Sequence, residues 1–170
     1  AELGIPQSLR TAILERFARL TPEAQDILRR AAVIGREFEV GVLRLASDLS
    51  EEKLDACLEE AERAQFIHVP RGESVAGQRY AFAHALMPQT IAAELSTIRA
   101  SRLHARVGEA IERVYADRLE DIAPALGRHF ARAGQTKKAA VYLLAAGDAA
   151  QSALAFEDAI EAYEQAVSIL

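Results

Sequence analysis

From Ala85 to Leu170 every local pattern is helical, and the helical segments are separated by only a few residues. Such short connections favour antiparallel neighbours. Leu86–Leu95 reads as one helix. Ile98, Leu103, Val107, Ala110, Ile111, Val114 and Tyr115 mark the apolar face of a longer one. Leu119–Ala133 follows and is closed by Gly134, and Thr136–Ser152 and Phe156–Leu170 complete the set. Alanine supplies about a fifth of the 170 residues, aromatic residues only 6%, and there is no tryptophan. Alanine is the strongest helix former, so this composition predicts thin helices in close contact, with small residues where they touch.

The first part of the chain is patterned differently. Leu9, Ile13, Leu14, Phe17 and Leu20 fall on one face of a helix that starts near Pro6. Thr21 is placed to cap a second helix with Pro22 at its first position, and Ala24, Ile27, Leu28, Ala31 and Ala32 continue it to Gly35. A short third helix is expected over Val40–Ala46. Ser50 opens a fourth, whose stripe is Leu54, Cys57, Leu58 and Ala61. Phe66–Pro70 and Tyr80–His84 then read as two short strands around the loop RGESVAGQ, a hairpin. Three helices and a hairpin are the layout of a winged helix.

The last two helices fit a tetratricopeptide-like pattern, in which small residues sit at fixed close contacts of a helix pair. With Gly147 as the first small position, Leu143 and Ala150 lie on the first helix and Ala159, Tyr163 and Ala166 on the second. The same pattern can start at Gly127, placing Phe130 on one helix and Ala139, Leu143 and Ala146 on the next. The two starts are 20 residues apart and share a helix, so one tetratricopeptide-like pair preceded by a related, imperfect stack is expected.

Catalytic motifs are missing. The sequence holds no phosphate-cradling G-x-x-x-x-G-K-[ST], no H-E-x-x-H and no G-x-S-x-G. His68, His84, His104 and His129 are scattered without metal-ligand spacing, so neither enzymatic activity nor a bound metal is expected. Cys57 is the single cysteine, which excludes an internal disulfide framework, and its place on an apolar stripe predicts a small buried hydrophobe.

The net charge is −5. In a winged helix the helix before the hairpin would read DNA. Here it carries Glu51, Glu52, Asp55, Glu59, Glu60 and Glu62 against Lys53 and Arg63. Such a surface repels phosphate, so direct DNA binding is not expected. The acidic helix predicts a solvated face, or a docking face for a basic partner. Arg10, Arg16, Arg19, Arg29 and Arg30 make the first two helices the more basic part. No apolar run approaches the ~20 residues that cross a bilayer, and AELGIPQSLR lacks the apolar stretch of a signal peptide. A cytoplasmic location without membrane contact is expected. The chain starts without Met and its helical pattern runs into the last residue, as in a piece of something longer.

The stretch IPQSLRTAILERFARLTPEAQDILRRAAVIGREF resembles the segment that follows the ATPase core in bacterial signal-transducing ATPases of the STAND class. It is most similar to those fused to class III adenylate/guanylate cyclase domains, and it is related to LuxR-type ATP-dependent transcriptional activators. YAFAHAL, RLHARVGEAIERVYADR, LGRHFARAGQTKKAAVYLLAAGDAA and FEDAIEAYEQA extend the resemblance over nearly the whole chain. MPQTIAAELSTIRAS departs from the family, which usually has an acidic residue and an aromatic soon after the histidine. The resemblance implies a winged-helix domain that folds back on an upstream ATPase domain in the resting state. It also implies that His84, at the end of the second strand, reaches the β-phosphate of ADP. A histidine capping the following helix is the alternative at that position.

These readings give a mainly α fold: a winged-helix-like domain with a small β-hairpin over residues 1–95, then an antiparallel helical stack over 96–170 that opens a tetratricopeptide-like solenoid. The expected function is non-catalytic and regulatory, coupling nucleotide state in a larger protein to an output such as cyclase activity or transcription. ATP, ADP and Mg would belong to that parent by resemblance. A protein or inducer ligand would be received by the helical repeats. A plain interaction scaffold with no nucleotide link is the alternative, and a DNA-reading winged helix a more distant one. A solenoid cut after one repeat would leave an apolar end, predicting self-association through Ala159, Tyr163 and Ala166.

Overall fold

A computed structural model describes residues 6–71 and 79–170, and most of the loop expected between the two hairpin strands lies outside them. The protein is mainly helical with a small antiparallel sheet. It divides into two compact units, Ala1–Thr97 and Ile98–Leu170.

The first unit contains α1 (Gln7–Phe17), α2 (Pro22–Ile34), β1 (Glu37–Glu39), α3 (Val40–Ala46), α4 (Glu51–Arg63), β2 (Ile67–His68), β3 (Arg79–Phe82) and α5 (Leu86–Ala93). The expected caps are in place: the Thr21 side chain accepts from the Ala24 N–H and the Ser50 side chain from the Lys53 N–H. Ile27, Leu28, Leu43, Leu54, Phe66, Phe82 and Ile91 form the centre of one apolar core. Cys57 lies in that core as a free thiol. Burial first, then the carboxylates of Glu60, Glu23 and Asp26, push its pKa up, so it stays protonated and inert.

The sheet departs from the expected hairpin in having a third strand. β1 pairs with β3 in the register Glu37↔Ala81, Phe38↔Tyr80 and Glu39↔Arg79, while β2 pairs with β3 through Ile67↔Phe82 and His68↔Ala81. β3 is therefore the middle strand, in the order β1-β3-β2. Stacked Phe38 and Tyr80 rings and an Arg79–Glu39 ion pair of 3.0 Å join its outer pairing. The strands are shorter than the pattern suggested, because β3 ends at Phe82 and leaves Ala83 and His84 in a bend. Two helices of this unit are also shorter than expected. α1 stops at Phe17 rather than continuing to Leu20, and α5 stops two residues before Leu95.

The second unit contains α6 (Thr97–Val114), α7 (Leu119–Arg132), α8 (Thr136–Ser152) and α9 (Phe156–Ser168), the last stopping short of Leu170. α8 packs against both α7 and α9. Two turns of the same construction join them. At the first, the Gln135 N–H donates to the Phe130 carbonyl around Gly134 at φ +73°. At the second, the Ala155 N–H donates to the Ala150 carbonyl around Leu154 at φ +60°. Both place a left-handed residue just past a helix end, where it satisfies carbonyls the helix leaves open.

Candidate functional site

His84 stands where β3 hands over to α5. The Phe82 N–H donates to the Arg36 carbonyl and the Ala83 N–H to the Phe66 carbonyl, each at 2.9 Å, so the chain is held from two sides just before the histidine. His84 is exposed. Its Nδ1 accepts the Leu86 N–H at 3.2 Å, which satisfies one of the donors left open at the start of α5. A neutral ring that accepts at Nδ1 carries its proton on Nε2. The capping role is thus real, and it leaves Nε2–H as an exposed donor.

Of the small-residue positions expected on the last helix pair, Gly147 and Tyr163 meet within the second unit. Tyr163 of α9 packs on the bare backbone of Gly147 in α8, and its hydroxyl donates to Asp148 Oδ1 at 2.6 Å. Leu143 of α8 fills the equivalent notch at Gly127 of α7, where an added Cβ would lie 2.7 Å from its Cγ. Phe130 of α7 does the same at Gly108 of α6, at 2.9 Å. Each helix from α6 to α8 therefore offers one glycine to a large side chain of the next. Ala159 and Ala166 are buried. Tyr163, half-buried, lies over Gly147 beside them. The outward apolar residues of α9 are Phe156, Ile160 and Val167.

Between α7, α8 and α9 lies a groove of about 490 Å³. Its lining includes Ala146, Ala149, Ala150 and Ala153 of α8, with Glu120 and Asp121 from α7 and Asp158 and Glu161 from α9. Ala150, expected on the helix-pair contact, is among the residues that line this groove.

A histidine pair was not legible in the spacing. His104 of α6 and His129 of α7 are both buried, and their Nδ1 atoms lie 3.0 Å apart. One ring must donate and the other accept. Burial is the main cause that lowers each pKa to about 4. Arg132 adds to it at His104, and His104, Arg128 and Arg132 add to it at His129. Both rings are consequently neutral near pH 7. Among the described residues no group of three or more His, Cys, Asp or Glu side chains is placed to hold a metal ion.

Nearby, Glu112 of α6 ties α8 in place, accepting from Lys138 Nζ at 2.6 Å and from the Tyr142 hydroxyl. Burial and that carboxylate push the Tyr142 pKa up to about 12.

The acidic face of α4 is partly as expected. Glu51, Glu52, Asp55, Glu59 and Glu62 are exposed, whereas Glu60 turns to Thr21 and accepts both its N–H and its hydroxyl, at 2.8 and 2.7 Å. Among the described residues no helix is long and apolar enough to cross a membrane. No family model matches the chain, and no similar protein is found among curated proteins or solved structures.

Proposed function

We propose that this chain is a non-catalytic regulatory module of a larger ATP-dependent signalling protein, in which the first unit is a winged helix that reads nucleotide state. The observation that carries the reading is His84: exposed, held from both sides of the sheet, and left by its own cap with Nε2–H to donate. A fixed imidazole N–H suits a phosphate oxygen. The order α2, β1, α3, α4, β2, β3, with β3 central, supports the winged-helix assignment. Nucleotide with Mg, and the ATPase domain that binds it, belong to the parent. The output would be cyclase activity or transcription, in the cytoplasm.

The test is ADP release from a protein carrying this chain behind its ATPase domain. His84→Ala removes cap and donor together. His84→Asn keeps a capping oxygen and loses the Nε2 reach. Faster release by about tenfold in both variants, the size expected for one hydrogen bond to a charged group, supports the reading. Unchanged release in both removes His84 from nucleotide sensing.

The groove across α7, α8 and α9 favours a second reading, in which the helical stack is a tetratricopeptide-like scaffold for a protein or inducer ligand. On that reading partner binding is the same with ADP, with ATP and without nucleotide. The exposed carboxylates of α4 weigh against a DNA-reading role.

A further inference from the structure

Three arginines line a depression of about 430 Å³ in the first unit, at the ends of α1 and α4. Arg16, Arg19 and Arg63 line it together with Leu20, Ala64 and Phe66, of which Leu20 and Phe66 are buried. This cluster of cations stands in a chain whose net charge is −5.

The carboxylate in its lining is already engaged. Glu60 is the one carboxylate in the lining, and both its oxygens accept from Thr21. Helix C-termini ordinarily repel anions, but most of the carbonyls here are bonded. At the end of α4, Glu59 accepts from Arg63 Nε, Glu60 from Ala64, Ala61 from Phe66, Glu62 from Gln65 and Ala64 from Arg16 Nη2. At the end of α1, Leu14, Arg16 and Phe17 accept from Ala18, Arg19 and Leu20.

The cations are partly fixed. Arg16 is held by its 2.6 Å bond to the Ala64 carbonyl and by the Phe66 ring, whose centroid lies 5.3 Å from its Cζ. Arg63 spends Nε on Glu59 at 3.3 Å and keeps both terminal nitrogens. The Arg19 side chain makes no hydrogen bond or ion pair among the described residues. Guanidinium forks match phosphate oxygens bidentately, and three forks exceed what the two oxygens of a carboxylate can accept. A tetrahedral dianion with three or more terminal oxygens uses them all.

We propose that this depression binds a phosphate dianion, with Arg16, Arg19 and Arg63 as its ligands. The proposal stands independently of His84. The phosphate can be a small free one or one carried on a side chain of a peptide, and the experiment separates the two.

Arginine side-chain N–H signals of the 170-residue chain would be followed by NMR at fixed ionic strength. The titrants are inorganic phosphate, a short phosphoserine peptide and the same peptide without phosphate. Saturable shifts confined to Arg16, Arg19 and Arg63 are expected with the two phosphate probes and not with the third. A phosphopeptide that binds at least about tenfold tighter than inorganic phosphate names the chain-borne source, and equal affinities name the free one. Arg19→Ala is expected to weaken binding by about tenfold or more, the size of one charge-assisted bond. Arg19→Lys should restore part of it. Arg19 is exposed and outside the core, so both variants retain the fold. Shifts that never saturate, that appear equally at Arg128 of α7, or that survive Arg19→Ala overturn the proposal.

Discussion

His104 and His129 satisfy each other through a single N–H···N contact of 3.0 Å between their Nδ1 atoms, in the interior of the second unit. The pair has one hydrogen to share at that contact; one added proton makes one ring a cation, and two would place two cations side by side.

The first prediction concerns acid. Both imidazoles titrate near 6.5 when unfolded, and burial lowers them to about 4 when folded. The unfolded chain therefore binds more protons between these values, so stability rises with pH there and is lost as the pH falls. The melting midpoint should be level above about pH 6.5 and decline steadily toward about pH 4, with the two rings titrating as a coupled pair. The double variant His104→Phe/His129→Leu should flatten the part of the slope above pH 5, where carboxylates contribute little. A slope unchanged in the double variant would assign the effect elsewhere.

A second prediction separates the glycine notches. Alanine is favoured over glycine in a helix interior by roughly 1 kcal/mol, and overpacking costs about 1–3 kcal/mol. At Gly127 an added Cβ meets the Cγ of buried Leu143 at 2.7 Å and its backbone nitrogen at 3.3 Å, so neither neighbour can move cheaply. At Gly147 it meets the ring of Tyr163, which is only half-buried. Gly127→Ala should lower stability by about 1–2 kcal/mol and Gly147→Ala by clearly less, as read by urea denaturation. Equal losses would contradict the packing argument.

The turn after α8 gives a third. Leu154 holds φ +60° with its side chain 73% exposed, where the turn after α7 has Gly134. A left-handed conformation costs a non-glycine residue roughly 1–2 kcal/mol. Glycine loses some of that gain through its freer unfolded chain. Leu154→Gly should raise stability by about 0.5–1 kcal/mol, visible as a higher urea midpoint with an unchanged slope. A lower midpoint would show that the leucine side chain packs usefully.

A fourth concerns the start of α2. Thr21 caps that helix and also gives Glu60 two hydrogen bonds. Thr21→Ser keeps the hydroxyl and should be nearly neutral. Thr21→Ala should cost about 1–2 kcal/mol, since it removes the cap and one bond to a charged acceptor. A cost of only a few tenths would mean that the contact is not maintained in solution.

Much of the fold was readable because it is local. Thr21, Pro22 and Ser50 signal helix starts through nearest-neighbour chemistry, and the α8 pattern of Thr136–Ser152 gave its bounds directly. β1 was not readable. Glu37–Glu39 is too short to show an alternation, and it is a strand only because β3 lies alongside it, some forty residues later in the chain. Glu60 looked like one more acid on a solvated face until Thr21 arrived beside it. His104 and His129 are 25 positions apart, with neither helical nor metal-ligand spacing, so only the packing of two helices brings them together. The cap made by His84 was among the alternatives that the sequence left open, and the geometry shows how one ring can serve both there and as a donor.

The succession Gly108 to Phe130, Gly127 to Leu143 and Gly147 to Tyr163 advances by one helix at each step. An array built on pairs changes length two helices at a time and always ends at the same pole. Here the joining rule is indifferent to odd and even. A stack that stopped at α8 would present Gly147 open, and one that stopped at α7 would present Gly127, the same kind of socket at either parity.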